Sequence, residues 1–304
     1  MRFEQWKRVI AGTASDVNRN CTLFFAAALS YYLVLAFFPA LIALAAVVAY
    51  LPIPDLFNTV IATLGRVMPP ESMGLVRRIV ADAVTPHHGA FLSFGVIGML
   101  WTLSDGFAAM IEALNFAYNV PETRSMWRTR ALSFQLTFLI GSLSTLAFAF
   151  MIVGPRFGEF LAAHTGMSRA FALTWPVLRY VLTAIFMVLA VEGLYFMAPN
   201  VRQNFHATLP GAIFAVITWI LLSDALSVYF QKFAHLNRTY GVLGGGIALL
   251  VWLYWSGFVI LLGAGLNGQL IQERGERKLD LKQPLRAKTR PRLAAAADEA
   301  TPVA

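Results

Sequence analysis

Five ionisable residues fall inside long apolar stretches of this chain: Asp105, Glu112, Arg179, Glu192 and Asp224. Insertion scales put the cost of such a group at a helix centre in the bilayer at about 2.5–3.5 kcal/mol, so these residues normally turn inward or toward water and mark pairing or function. Asp105 and Glu112 are seven residues apart, which places them on one face of a helix, about 10.5 Å apart along its axis. Arg179 and Asp224 come at matching outer depths of two spans and are expected to form an ion pair. Glu112 and Glu192 both come near the inner third and are placed to share a proton or a cation. Ser104 and Asn115 accompany the carboxylates of the second span and complete a candidate intramembrane polar site. Its chemistry would be a proton or substrate pathway, with plain helix-to-helix bonding as the alternative.

Residues for enzymatic chemistry are sparse. His87 and His88 sit in a polar loop, while His164, His206 and His235 are scattered one per connection. Neither H-x-x-x-H nor H-x-E spacing occurs, so no metal site is implied. G-x-S-x-G, P-loop and dinucleotide fingerprints are also missing, and no cofactor follows from the sequence. The single cysteine, Cys21, excludes a disulfide framework and a Cys-based metal centre.

The elements that must hold the polar residues follow from composition. Of 304 residues, 58% are hydrophobic and 13% charged, with a mean hydropathy of +0.64. Soluble domains carry about 25% charged residues, so a water-soluble enzyme and a disordered chain are both excluded. A hydrocarbon core about 30 Å thick needs about 20 apolar helical residues. Six segments qualify, at 22–50 and about 90–118, 131–154, 171–198, 209–230 and 244–270. The fold class is therefore an all-α integral membrane protein with six transmembrane helices.

Between spans one and two, Leu56, Val60, Ile61, Leu64 and Met68 recur at helical spacing, as do Val76, Ile79, Val80 and Ala83. Two amphipathic helices, separated by Pro69-Pro70, should rest on the membrane or cap the bundle. Candidate helix breaks are Pro39, Pro176, Gly241, Gly244, Gly245 and Gly246. Such breaks line binding sites in transporters, and otherwise mark kinks, hinges or close helix approach.

Three units result. Residues 1–20 place Phe3, Trp6, Ile10 and Val17 near one helix face and suit an interfacial amphipathic helix. Residues 21–272 form the membrane domain, and 273–304 form a basic tail expected to be disordered. The net charge of +8 lies mostly outside the spans. Sixteen Lys and Arg fall on the side of the two termini against seven on the other, which predicts both termini in the cytoplasm. Membrane retention also accounts for the basic run from Arg124 to Arg130, so the expected partner is the lipid bilayer and not a nucleic acid. The oligomeric state is left open.

Several stretches carry a resemblance together: YYLVLAFFP at 31–39, LSDGFAAMIEALNFAYNVPETRSMW at 103–127, APN at 198–200 and LPGA at 209–212. TYGVLGGGIALLVWLYWSG at 239–257 and LLGAGLN at 261–267 complete the set. Over about residues 20–272 the chain resembles the YihY/BrkB family of bacterial inner-membrane proteins. That resemblance implies six membrane helices, a multi-pass inner-membrane location and no settled biochemical activity. Members have carried the label ribonuclease BN, a tRNA-processing name regarded as a misassignment. Relatives often read GAELN where this chain has Gly265, so a mechanism using that carboxylate is in doubt here. The function expected is a permease or flippase-like translocator of an amphipathic or anionic substrate, without enzymatic activity. A scaffolding membrane protein is the alternative, and a membrane-bound hydrolase or tRNA-processing nuclease a remote one.

Overall fold

Nine α-helices occupy the described residues, with no β-strand among them. The structure is a computed structural model that describes residues 3–50, 56–84, 89–152, 154, 158, 169–234 and 242–273. The tail beyond Glu273 and the candidate break at Gly241 lie outside these residues.

Six helices are long and apolar enough to cross a membrane. They are α2 (Thr22–Tyr50), α5 (Gly89–Ala117), α6 (Met126–Ile152), α7 (Arg169–Met197), α8 (Phe205–Tyr229) and α9 (Val242–Glu273). Lipid supplies no partner for backbone N–H and C=O groups, and a helix satisfies them internally. Each span packs on the next, α2 on α5, then α6, α7, α8 and α9, and α9 returns to α2. One core runs through this ring, from Leu29 of α2 through Met110, Ile111 and Leu114 of α5 and Leu136 of α6 to Leu194 of α7, Ala215 of α8 and Val259 and Leu261 of α9.

The two short helices expected after the first span are α3 (Leu56–Val67) and α4 (Pro70–Val84). Pro70 stands at the first helical position of α4, where its missing N–H costs nothing. Ile61, Met68 and Val76 pack with Leu41 of α2 and with Leu249 and Leu253 of α9, so the pair caps one end of the bundle. Ser72 of α4 donates to the Gly245 carbonyl at 3.1 Å. Gly244, Gly245 and Gly246 are helical residues of α9, with the close approach at Gly245, and not a break. Pro39 and Pro176 likewise lie within continuous helices.

At the opposite end, α1 (Phe3–Arg19) docks on the last turns of α9. Its packed residues are Val9, buried against Leu266 and Leu270, and Thr13. Ile10, on the apolar face expected for α1, is exposed. Gln269 donates to Asp16 at 2.6 Å, and Arg8 pairs with Glu273 at 3.0 Å. Cys21 holds a left-handed φ of 49°, which turns the chain from α1 into α2.

The tightest crossing joins α8 to α9. A Cβ on Gly211 would stand 2.4 Å from the Gly263 carbonyl oxygen, and one on Gly263 would stand 2.5 Å from the Tyr195 hydroxyl. Small residues let membrane helices approach to backbone contact. Replacing Gly211 or Gly263 with Ala should lower the thermal midpoint of the detergent-solubilised protein, at an overpacking cost of about 1–3 kcal/mol. Gly74 of α4 has open space around its Cβ position. Gly74→Ala should therefore hold or raise the midpoint, since Gly in a helix costs about 0.5–1 kcal/mol relative to Ala.

Candidate functional site

Two polar clusters form at the α1 end of the bundle. The first begins where α5 stops. Asn119 takes a left-handed φ of 53°, its N–H returns to the Phe116 carbonyl at 3.0 Å, and Val120 returns to Asn115 at 2.9 Å. This is the Schellman ending, with asparagine in the place that glycine usually holds. It frees the Asn115 side chain to bridge two connections. Asn115 Nδ2 donates to Glu122 at 2.8 Å, and Asn115 Oδ1 accepts from the Asn200 N–H at 2.8 Å. Asn200 Nδ2 donates to the Pro121 carbonyl at 2.9 Å and to Thr123 at 2.8 Å.

Arg124 completes this first cluster. Its side chain is only 6% exposed. It binds Glu122 at 2.7 Å and donates to the Ala198 carbonyl, just past the end of α7, at 2.7 Å. A cation is favourable at a helix C-terminus, where the backbone dipole ends negative. Burial disfavours the charged form of Glu122, but the hydrogen bonds and charge of Arg124, with the hydrogen bond from Asn115, outweigh it and hold this carboxyl below the usual carboxylate range. Part of the basic run used to orient the chain is therefore built into the fold.

The second cluster lies between α7, α8 and α9. Glu192 of α7 is fully buried and hydrogen-bonds to the Thr208 hydroxyl of α8. Its other oxygen, Oε2, is buried without a hydrogen-bond partner. Asn267 of α9 donates to the Thr208 carbonyl at 2.7 Å and accepts from the Gly211 N–H at 2.8 Å. Tyr195 donates to the Ile260 carbonyl at 2.5 Å, and the Tyr118 hydroxyl lies against Asn267. Residues from four of the quoted motifs (NFAYN, APN, LPGA and GAGLN) thus meet at one end of the bundle. Gly265 takes no part in the Glu192 cluster, because its Cβ position looks toward Thr13 of α1 at 3.8 Å.

The other expected site residues separate from Glu192. Asp105 pairs with Arg130 of α6, whose guanidinium stacks 4.5 Å from the centroid of the Trp101 ring. Trp101, Asp105, Glu112 and Phe116 share one helical face, and Met110 and Leu114, on the opposite side, point into the core. Glu112 is therefore exposed on the outer face of α5 and does not meet Glu192. Ser104 is buried and donates to its own helix at Trp101, outside any charged cluster. Of the expected residues, Asn115 and Glu192 are the two that join the clusters at the α1 end.

Arg179 and Asp224 form no ion pair among the described residues. Arg179 packs against Gly154, just beyond the end of α6, where a Cβ would stand 2.5 Å from the Arg179 side chain. Thr183, one turn on, faces the Ala147 carbonyl of the same helix. Asp224 lies instead on the exposed face of α8 with Ile220, Leu221 and Val228. Matching depth did not make a pair, because the two side chains leave their helices in different directions. Glu112 lies five residues from the end of α5, about 7.5 Å along the axis, within reach of headgroup water. Asp224 lies five residues before Tyr229, where α8 passes into the π-helical turn Phe230–Ala234.

Sequence reasoning missed three participants. Arg130 had been assigned to a connection, but it sits on the first turns of α6 and reaches back along the span to Asp105. Thr208 and Tyr195 have common residue types, and the signal that could have found them is their place beside LPGA and APN.

The Glu122 cluster makes a pH profile predictable. A carboxyl held below its ordinary value of 4.5 contributes stability above that pH and loses it as pH falls through the folded-state value. The wild-type midpoint should drop below pH 4.5, while Glu122→Gln should start lower at neutral pH and show a flatter acid limb. Asn200→Ala should lower the neutral-pH midpoint by the cost of stranded buried partners, about 1–3 kcal/mol.

Comparison with known proteins agrees with the motifs. Residues 13–288 match the family model described as "Virulence factor BrkB". The chain is 34% identical over 244 residues to the "ribonuclease-like protein YfkH" of Bacillus subtilis (strain 168), covering 80% of this chain and 88% of that protein. It is 27% identical over 204 residues to a "UPF0761 membrane protein" of Pseudoalteromonas translucida (strain TAC 125), covering 64% and 66%. No solved structure matches. With six membrane-crossing helices and a family match across most of its length, the chain belongs to the BrkB family of membrane proteins.

Proposed function

We propose that this protein is a flippase-like translocator of an amphipathic, lipid-like substrate in the bacterial inner membrane. The Lys and Arg excess supports placing its α1 end and both termini on the cytoplasmic side. The observation that carries the reading is the Asp105–Arg130 pair. It lies midway along α5, on the face away from the core, with side chains 38% and 25% exposed. Charged groups at membrane depth pair with one another, and such pairs mark substrate pathways. A phospholipid headgroup matches both charges, with phosphate for Arg130 and an ammonium for Asp105 or Glu112. Trp101 and Phe134 flank the pair and offer an apolar bed for an acyl chain.

Because these charges face outward, they favour a substrate handled at the protein–lipid boundary over a water-soluble solute crossing a central pore. The scaffolding reading draws on the same pair, which is internally neutral. The ribonuclease reading suggested by the name of the Bacillus relative has no comparable observation in its support.

The test is lipid movement in vesicles holding the purified protein and fluorescent phosphatidylethanolamine, read by chemical quenching of the outer leaflet. Wild type should move the probe. Asp105→Asn and Arg130→Gln should each slow it by about tenfold, a barrier change of about 1.4 kcal/mol. The charge-swapped pair Asp105→Arg with Arg130→Asp should recover part of the rate. Unchanged rates with Asp105, Glu112 and Arg130 all neutralised would defeat the proposal.

A further inference from the structure

Among the described residues Glu192 has no cationic side chain paired with it, yet no atom of its residue reaches solvent. Its environment can be read by counting hydrogens. Glu192 Oε1 contacts the Thr208 hydroxyl, which also lies 3.0 Å from the Phe205 carbonyl. A hydroxyl carries one hydrogen. If Thr208 gives that hydrogen to Phe205, the contact with Glu192 joins two oxygens and needs a hydrogen from the carboxyl. If Thr208 gives it to Glu192, a buried carboxylate is left with a single donor and a bare Oε2. Carboxylates held ionised inside proteins accept two or three such bonds or take a cation.

The surrounding groups do not supply the missing charge. From α9, Asn267 commits its amide to Thr208, Gly211 and Tyr118. From α7 itself, the Tyr195 hydroxyl is spent on Ile260. From α6, Arg130 is held by Asp105, and Arg128 is exposed. From the end of α5 comes only the Tyr118 phenol. His206 on α8, two residues before Thr208, is exposed.

We infer that Glu192 is a proton-binding site, occupied in this conformation, with Thr208 as its acceptor. Loading adds one proton from water to the carboxylate and removes its charge. The relay from the Glu192 acid to Thr208 and on to the Phe205 carbonyl then ties α7 to the first turn of α8. Release of the proton to water leaves an anion among Tyr118, Tyr195 and Asn267 and opposes that contact. The site stands without the translocation reading, and only its use, a proton-dependent step in lipid movement, rests on it.

Infrared difference spectroscopy of the full-length protein in lipid nanodiscs tests the site directly. Wild type at neutral pH should show a protonated-carboxylic-acid carbonyl band that Glu192→Gln removes and Glu112→Gln leaves in place. Thr208→Val, which deletes the acceptor, should shift that band. It provides the reading should Glu192→Gln fail to fold. A missing band in wild type, a band that survives Glu192→Gln, or one unmoved by Thr208→Val overturns the proposal. In vesicles, a pH difference should change the rate of phosphatidylethanolamine movement for wild type and not for Glu192→Gln. A wild type that moves no lipid sinks the function proposed above, while the infrared band still decides the proton site.

Discussion

Hydrocarbon offers neither donors nor acceptors, so every polar group carried into it must be matched by another part of the same chain or by something the bilayer brings. The architecture of this protein follows from how it meets that demand. Its backbone is satisfied inside six helices, and its side-chain hydroxyls mostly return to their own helix, as Thr137 does to Ser133 and Thr145 to Gly141. What is left over concentrates at the α1 end, where Asn115, Asn200, Thr208 and Asn267 stitch spans to one another and to the connections between them.

The concentration at one end has a mechanical consequence. The connection after α5 and the one after α7 are cross-linked through Asn115, Asn200 and Arg124. The first turns of α8 are held by Glu192 and Asn267. This end of the bundle is braced by hydrogen bonds, which are directional and costly to leave unmade in a buried setting. The opposite end is closed chiefly by apolar packing of α3 and α4 against α2 and α9. α8 also passes into a π-helical turn there, Phe230–Ala234, a local widening often found where a helix must adjust.

The ionisable residues divide according to depth and direction. Glu112 lies near the end of α5, where water is in reach, and Asp224 sits on the exposed face of α8. Asp105 lies mid-span and is neutralised by an arginine that climbs from the first turns of the next helix. Glu192 is enclosed between helices, and among the described residues its one hydrogen-bond partner is the Thr208 hydroxyl. These are three different solutions to one solvation problem. Only the second and third store an interaction that a ligand or a proton can exchange with.

Length and hydropathy are local properties, so the sequence by itself determined the six spans, the paired cap helices around Pro69-Pro70 and the family to which the chain belongs. The quoted motifs also supply Asn115, Asn200, Gly211 and Asn267 to the polar clusters at the α1 end. Partnership was a different matter. Spacing puts Asp105 and Glu112 on one face of α5, but whether that face looks into the core or out of it depends on how the helix is rotated against α2 and α6. That rotation is set by packing, with Met110 and Leu114 taking the core and small residues such as Gly211 and Gly263 permitting contact elsewhere. Tertiary structure alone therefore joined Asp105 to Arg130, parted Arg179 from Asp224 and enclosed Glu192 with Thr208, because a helix's azimuth is a property of its neighbours and is not written in its own residues.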